Sequence, residues 1–167
     1  VQSTALKAAT VQDTELVEEF LNKVRSVGPL GSSLEESEQK GIVEMAKNLP
    51  SLPNMANYPL EASTNYLLVY SDSSGSSSGK LWGPIAGDVS QIIVDDSAFI
   101  NQVSLGPLQI ALRASRKTRD DVNIQVFFHE LTIRLFGNTI QQKSLEGGGN
   151  WKMLYVGKVQ GKTLRVM

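Results

Sequence analysis

Residues suited to acid–base or metal chemistry are few in this sequence, and their spacing does not assemble a site. There is no cysteine, which excludes disulfides, thiolate metal sites and a cysteine nucleophile. His129 is the only histidine, so a catalytic triad or a metal site would depend on it alone. It lies in an apolar run beside Glu130, and neighbouring side chains on a strand point to opposite faces. We therefore interpret His129 as an ordinary strand residue and predict no catalytic residue, metal ligand or cofactor.

Two acidic pairs and a glycine-rich loop are the other chemical candidates. Asp95-Asp96 and Asp120-Asp121 fall in predicted turns, where carboxylates usually bond to the local backbone. Residues 75–81 resemble a phosphate-binding loop, but the glycines are one residue too close and Leu81 stands where Ser or Thr is required. The loop also opens no helix, so no helix N-terminus faces an anion. The sequence predicts a mobile hairpin loop there, and a protein that is not an enzyme.

Composition narrows the class of protein. The chain has 167 residues, of which 41% are apolar and 20% charged, which is typical of one globular domain with a sizeable core. Its formal net charge of −1 gives no global field that attracts nucleic acid or anionic membrane. No apolar run approaches the roughly 18 residues of a membrane-spanning helix. We expect no nucleic-acid partner.

The N-terminal third is predicted to be helical. Over residues 13–27 the apolar positions lie on one helical face: Leu16, Val17, Phe20, Leu21, Val24 and Val27. A second helix is predicted over residues 34–49, with Ser33 and Glu36 at the spacing of a capping box. Prolines at positions 50, 53 and 59 exclude a regular helix or a central strand. Residues 49–61 are therefore predicted to form an extended connector against the body of the domain.

From residue 65 onward the apolar period becomes that of strands. Residues 65–71 are predicted to form a buried first strand, and residues 71–79 a low-complexity loop. Residues 87–94 and 98–105 predict a hairpin with its turn at Asp95-Asp96-Ser97, followed by a strand over residues 108–116. A glycine-rich turn is predicted before Trp151. A last pair of strands, residues 151–159 and 163–167, is joined at Gln160-Gly161.

The run over residues 122–136 is informative because its alternation changes parity. Apolar residues occupy even positions up to Phe128 and odd positions from Leu131 onward. A regular strand cannot change parity without inverting its two faces. The sequence therefore predicts a bulge or a turn near His129-Glu130.

These elements predict a mainly β protein with N-terminal helices, in the α+β class. No helix long enough for a crossover separates the strands, so the sheet is predicted to be antiparallel. Residues 1–60 are assigned to a helical segment with its proline-rich connector. Residues 61–167 are assigned to an up-and-down barrel or a strongly bent sheet.

A barrel of this size is either filled by side chains or wide enough for one small ligand. The residues predicted to face inward, and to contact such a ligand, are Tyr66, Leu68, Tyr70, Phe99, Val103, Ile110, Leu112, Val126, Phe128, Trp151 and Tyr155. They would line an apolar pocket in which tyrosine hydroxyls orient the polar end of a ligand. They would equally well pack a solid core, and the sequence leaves both alternatives open.

One surface is a candidate for membrane contact. It combines an aromatic residue with a group of basic ones: Trp82, Arg113, Arg116, Lys117 and Arg119. Such a set is able to touch an anionic lipid surface. The alternative is a solvated turn neutralised by Asp120 and Asp121, with Trp82 closing the end of the barrel.

Read in order, the motifs of this chain resemble those of the plastid lipid-associated proteins, also called plastid fibrillins. The resemblance covers most of the chain from about residue 13, including the two helices and the proline-rich connector. The matching stretches are Tyr66-Leu-Leu-Val-Tyr70, Gly79-Lys-Leu-Trp-Gly-Pro84, Gly87-Asp-Val-Ser-Gln91, Asn101-Gln-Val103, and Trp151, Tyr155 and Leu164-Arg-Val166. The chain departs from the family pattern at Tyr66, where a tryptophan is usual, and at Tyr155-Val-Gly157, where Tyr-Leu-Asp is usual.

This resemblance implies a lipocalin-like barrel in a chloroplast protein associated with thylakoids or plastoglobules. It implies a non-enzymatic protein that binds or organises lipids, carotenoids or quinones. The expected partners are such a ligand and the thylakoid or plastoglobule surface. The alternative is a structural or assembly protein that docks on a thylakoid membrane protein complex and holds no internal ligand.

Overall fold

The computed structural model of the chain describes residues 11–72, 80–82 and 85–167. Two α-helices begin it, α1 (Val11–Val27) and α2 (Glu36–Lys47), with short 3-10 helices at Gly31–Ser33 and Met55–Asn57. The two helices confirm the apolar periodicity in the main, since four of the six residues predicted to lie on the inner face of α1 are buried: Val17, Phe20, Leu21 and Val24. Leu16 is exposed and Val27 is half-buried, so both lie at the margins of that face. Among the described helices, none has the length and apolarity to cross a membrane.

The predicted capping box of α2 is wrong. The Ser33 hydroxyl donates instead to the carbonyl of Leu30, at 2.7 Å, and belongs to the preceding 3-10 turn. The helix begins at Glu36 with Glu35 as an extended cap residue. Ser33 and Glu36 have the spacing of a capping box, but the Ser33 hydroxyl bonds within the preceding turn and is therefore not available to cap α2.

Ten strands follow in the described chain. They are β1 (Asn65–Leu67), β2 (Lys80–Trp82), β3 (Ile85–Ala86), β4 (Asp88–Ile93), β5 (Ala98–Leu105), β6 (Leu108–Thr118), β7 (Asn123–Leu135), β8 (Asn138–Lys152), β9 (Tyr155–Val159) and β10 (Lys162–Val166). Their hydrogen-bonded order is β1-β4-β5-β6-β7-β8 in a six-stranded sheet, with β2–β3 and β9–β10 as separate pairs. Every pairing among these strands is antiparallel, as predicted. The protein is therefore mainly β, with two N-terminal helices.

The hairpin β4–β5 and its turn agree with the sequence prediction. Both the backbone N–H and the hydroxyl of Ser97 donate to the Asp95 carboxylate, at 2.7 and 2.8 Å. These bonds hold the pKa of Asp95 below its ordinary value. The acidic turn is thus a local structural device, of the kind expected for Asp in turns.

The predicted bulge is also confirmed. Arg113 on β6 pairs with Glu130, whereas the next residue, Ala114, pairs with Phe128, so His129 is the extra residue of β7. The insertion keeps Phe128 and Leu131 on the same face of the sheet. The change of parity in the sequence therefore marks the bulge itself.

The first strand is shorter and more exposed than predicted. β1 has three residues, and the side chain of Leu67 is 70% exposed. It lies at one edge of the six-stranded sheet and pairs only with β4 among the described strands. An edge strand lacks a neighbour on one side, which explains why its apolar composition does not make it buried.

The glycine-rich stretch before Trp151 is not a turn. Gly147, Gly148 and Gly149 lie within β8, which is 15 residues long and pairs with β7 along its length. A Cβ atom on Gly148 would collide with the carbonyl oxygen of Val126 on β7. Glycine at this point allows close approach of the two backbones, which is one of its two roles inside strands. The chain then leaves β8 at Lys152 and starts β9 at Tyr155, so residues 151–159 are not one strand.

Two apolar cores hold these layers together. The first core lies on the inner face of the sheet: Met55, Ala56, Leu60, Ile93, Phe99, Ala114, Ile124, Val126, Met153 and Val156. The second joins the helices to the β9–β10 hairpin: Val17, Phe20, Leu21, Val24, Ile42, Ala46, Leu49, Tyr155 and Val159. The proline-rich connector is more than an extended segment, because its 3-10 turn places Met55 and Ala56 in the first core.

A half-open cavity as the candidate functional site

A large cavity lies between the inner face of the six-stranded sheet, the β9–β10 hairpin and the two helices. Its volume is about 1370 Å³, and it is partly open to solvent. Pockets for small molecules usually have about 300–1,000 Å³, so there is room here for a molecule with a long apolar portion.

The register of the sheet explains where the cavity begins. Residues facing each other across β4, β5, β6 and β7 form rows on the inner face. One row is buried in the first core or packs against it: Ile93, Phe99, Ala114 and Phe128. The next row lines the cavity: Gln91, Asn101, Leu112 and Leu131. A third row continues that lining with Val89, Val103 and Ile110.

The structure brings most of the residues predicted to contact a ligand to this cavity. Those that line it are Tyr66, Leu68, Tyr70, Val103, Ile110, Leu112, Phe128 and Trp151. Phe99 and Val126 are instead buried in the first core, and Tyr155 is buried in the second. These three residues point inward as predicted, but other side chains pack against them and leave no open space for a ligand there.

Trp151 marks the boundary between the solid and the hollow parts. Its ring lines the cavity and also lies against the ring of Phe99, with 5.5 Å between centroids and a tilt of 40°. A tilted aromatic pair at this distance is a favourable contact. The Trp151 ring thus separates Phe99, in the solid core, from the open space of the cavity.

A chain of hydrogen-bonded polar side chains crosses the cavity from β10 to β5. An N–H of the Arg165 guanidinium, from β10, donates to the side-chain oxygen of Gln91 on β4. The Gln91 amide nitrogen then donates to the side-chain oxygen of Asn101 on β5, at 3.0 Å. The guanidinium also lies over the ring of Tyr66, 5.0 Å from its centroid, in a cation–π contact. All four side chains line the cavity.

Arg165 is a charge in a poorly solvated place. Burial lowers the pKa of its guanidinium to about 10, with the nearby Arg116 acting in the same direction and Tyr66 opposing it. The group therefore stays protonated at neutral pH. The ion pairs in the described part of the chain join Lys23 to Glu38, Lys40 to Glu36 and Lys47 to Glu44, all between helical residues. None of these pairs provides Arg165 with a carboxylate.

No family model, curated protein or solved structure matches this chain. The walls of the cavity are mainly apolar and suited to burying apolar surface. Polar and charged residues also line it, and those joined by hydrogen bonds on the inner face of the sheet are Arg165, Gln91 and Asn101.

Sequence reasoning missed Arg165, Gln91 and Asn101 as site residues. A signal for the two amides was present, since each interrupts an apolar face. Gln91 stands between Val89 and Ile93 in the alternation of β4, and Asn101 interrupts the same kind of alternation in β5. A polar residue on a face that faces a core needs a partner, so such interruptions indicate either a buried network or a site.

The predicted membrane-contact residues do not form one cluster. Arg113, Arg116 and Lys117 lie within β6, and only Arg119 lies in the turn after it. Arg113 and Lys117 are exposed, whereas Arg116 is on the opposite face of β6 and its Nε donates to the carbonyl of Asp96 at 2.8 Å. Arg119 donates to Asn150 at 3.3 Å. The side chain of Trp82 and residues 73–79 of the predicted serine–glycine loop, which was predicted over residues 71–79, lie outside the described residues.

His129 lies away from the cavity and is exposed on the sheet surface. One of its ring nitrogens lies 2.7 Å from the Ser115 hydroxyl, so the two share a hydrogen bond. The neighbouring Glu130 accepts bonds from Thr132 and Gln142, at 3.2 and 2.7 Å. The acid that would orient a catalytic histidine is thus engaged elsewhere. In the part of the chain that the structure describes, no cluster of metal-binding side chains occurs.

Proposed function

We propose that this protein is a non-enzymatic lipid-binding protein that holds an apolar or amphiphilic molecule in the cavity between sheet and hairpin. The observation that carries the proposal is the cavity itself, about 1370 Å³ with mainly apolar walls. Burying apolar ligand surface contributes roughly 25 cal/mol per Å², so walls of this kind favour lipid tails over polar metabolites. The ligand classes are those implied by the resemblance to plastid fibrillins, namely lipids, carotenoids or quinones.

The lipocalin-like barrel belongs to the same proposal. The described ladder runs from β1 to β8, and β9–β10 is a separate pair. In support of a barrel-like interior, Val156 of β9 is buried in the sheet core, and Met153 is buried with it just before that strand. We propose that the β9–β10 hairpin covers the open side of the bent sheet, in the position that the closing strands of a barrel would occupy. Membership of the fibrillin family and a chloroplast location at thylakoids or plastoglobules are proposed on the ordered motifs alone.

The proposal is tested by looking for a bound molecule. Protein isolated from its native membrane is extracted with organic solvent, and the extract is analysed by mass spectrometry. The same chain, made without ligand, is then offered a carotenoid, a quinone, a galactolipid and a fatty acid. We expect one of these classes to co-purify and to bind with saturable stoichiometry.

A variant that narrows the cavity provides the control. Leu112 lines the cavity, and its replacement by Trp places a larger side chain in that wall. Leu112→Trp should fold and bind the ligand more weakly. Empty native preparations together with no uptake of any offered ligand would overturn the proposal, and so would full uptake by Leu112→Trp.

A second candidate is the assembly protein that docks on a thylakoid complex. It is favoured by the exposed apolar tip of the β7–β8 hairpin, where Phe136 is 77% and Ile140 is 61% exposed. The long strand β8 at the sheet edge is also mostly exposed. Exposed apolar groups and open edges are typical of interaction sites. If Phe136→Ser abolishes co-purification with a membrane complex while Leu112→Trp preserves it, this candidate replaces the first.

A further inference from the structure

The polar chain at Arg165 is unusual because it ends in donors only. A guanidinium has no acceptor, so the Gln91 oxygen must face it and the Gln91 nitrogen must face Asn101. Asn101 then accepts with its oxygen, which leaves its NH₂ group as the free end. The hydrogen-bond direction along this chain is therefore fixed by the arginine.

The remaining capacity of Arg165 is also that of a donor. One terminal nitrogen bonds to Gln91, and the other lies 3.7 Å from the Met167 sulfur, which is a weak acceptor. The face of the guanidinium is covered by the Tyr66 ring. Gln91, Met167 and Tyr66 are uncharged, and no ion pair among the described residues gives Arg165 a carboxylate. A half-buried charge without a counter-ion is costly.

Charges elsewhere around the cavity have the same sign on balance. Arg25, Lys158 and Lys162 line it together with Arg165, against the acidic residues Glu61 and Asp72. Arg25, Lys158 and Lys162 are exposed, so they contribute a weak and screened attraction. Arg165 stands in a different setting, against the polar chain on the inner face of the sheet.

We propose that the cavity is specific for a long-chain amphiphile with a carboxylate head, which accepts hydrogen bonds from Arg165 and Asn101 while its chain lies along the apolar wall. The apolar wall consists of the third row, Val89, Val103 and Ile110, together with Leu112 from the row before it. A carboxylate is acceptor-only and matches the donors of a guanidinium in a charge-assisted bond. This inference rests on the proposed lipid-binding function and selects one ligand class within it.

The test compares probes that differ only in the head group. Oleate, methyl oleate and oleyl alcohol are titrated into the full chain, and binding is followed by displacement of a neutral fluorescent fatty probe. We expect oleate to bind about 10- to 100-fold more tightly than methyl oleate, as a charge-assisted bond in a desolvated site implies. Acetate, which lacks a tail, should displace nothing at the same concentration.

Two variants assign that preference to Arg165. Arg165→Gln removes the charge, and Gln91→Glu supplies an internal carboxylate that occupies the guanidinium. Both should lower the affinity for oleate to about that for methyl oleate, so the ratio of the two affinities is the quantity compared. Gln102→Glu makes the same charge change on the outer face of β5, where Gln102 bonds to Ser104, and should keep the preference for oleate.

The outcomes separate the two proposals. If none of the three probes binds while a carotenoid, a quinone or a galactolipid does, this inference fails and the lipid-binding function stands. If no offered ligand of any class binds, both fail. If all three bind equally, or if the preference for oleate survives in both Arg165→Gln and Gln91→Glu, the lipid-binding function stands and the carboxylate site is wrong. Should Arg165→Gln fail to fold, Gln91→Glu decides alone, because it keeps Arg165 and changes one side chain at nearly the same volume.

Discussion

The inner face of the six-stranded sheet has two halves that share the same alternation of side chains and differ in what covers them. In one half, the row with Phe99 and Ala114 is covered by Met55, Ala56 and Leu60 from the connector and by Met153 and Val156. In the other half, two residues further along each strand, the described residues leave the inner face open, and the cavity lies there. Apolar patterning determines which face turns inward, and the covering segments determine whether that face becomes core or cavity.

The halves also differ in polar content. The core of the solid half is built of apolar side chains, whereas the hollow half carries Gln91, Asn101 and Arg165 in one hydrogen-bonded chain. Polar groups without full partners are tolerated where solvent or a ligand is able to reach them. The hollow half is thus the half in which the sequence accepts lower stability, which is the usual relation between a site and its scaffold.

The largest expected difference between the halves concerns truncation of an apolar side chain. Ile124 is 1% exposed in the solid core, and Ile124→Ala should lower the free energy of unfolding by about 2–5 kcal/mol. Leu112→Ala in the cavity wall should cost about 1 kcal/mol, because one side of Leu112 already faces open space. Urea denaturation measures both. Equal losses would show that the cavity is collapsed in solution and that the two halves do not differ.

Sequence reasoning predicted the faces of this sheet well. The alternation of β5 and β6 placed Phe99, Val103, Ile110 and Leu112 on the inner face, and the parity change at His129 placed the bulge. These are local properties of a strand, so a single sequence carries them. The helices were predicted on the same grounds.

The filling of the inner face was not predictable in that way. It depends on Met55 and Ala56, which reach the sheet from a connector that sequence reasoning treated as extended. The glycines of β8 were misread because a close approach to β7 has the same signature as a turn. Arg165 was missed since a single arginine in a short strand has no pattern, and its meaning comes only from Gln91 across the cavity.

Enlarging a side chain is expected to give a smaller difference in the free energy of unfolding between the two halves. Ala114 is fully buried, and Ala114→Leu should lower the free energy of unfolding by about 1–3 kcal/mol through overpacking. Val103→Phe adds volume to the same face of the sheet but extends into the cavity, so its cost should stay within about 0.5 kcal/mol. Thermal unfolding of both variants, with methyl oleate binding as a second measurement, checks this. We expect Val103→Phe to reduce that binding and Ala114→Leu, if it folds, to leave it unchanged.

The next expected effect is a gain in stability in the hollow half. Gln91→Glu places a carboxylate against the uncompensated Arg165 and should raise the free energy of unfolding by about 1 kcal/mol at pH 7. The arginine holds the pKa of the new carboxyl below its unfolded value of about 4.3. The gain is therefore present above that value and is lost as the pH falls through the lower folded pKa.

Gln102→Glu again provides the comparison for this change. It introduces the same charge on the outer face of β5, away from Arg165, and should give no such gain. Urea denaturation of both variants at pH 7 and pH 3 measures the difference. A loss of stability in Gln91→Glu at pH 7 would mean that the charge of Arg165 is already neutralised by another group. Arg165 would then not favour binding of an anionic ligand.

The smallest expected effect distinguishes the interior of the hollow half from its rim. Lys162 lines the cavity but is exposed, so its charge is screened by solvent and salt. Lys162→Gln should leave the free energy of unfolding unchanged and weaken oleate binding by less than about threefold at physiological salt, in line with the small worth of exposed charge pairs. The same titration gives the much larger loss expected for Arg165→Gln. If the two variants lose affinity equally, the charge that selects the ligand is spread over the cavity rim, and the contrast between a desolvated Arg165 and its solvated neighbours is wrong.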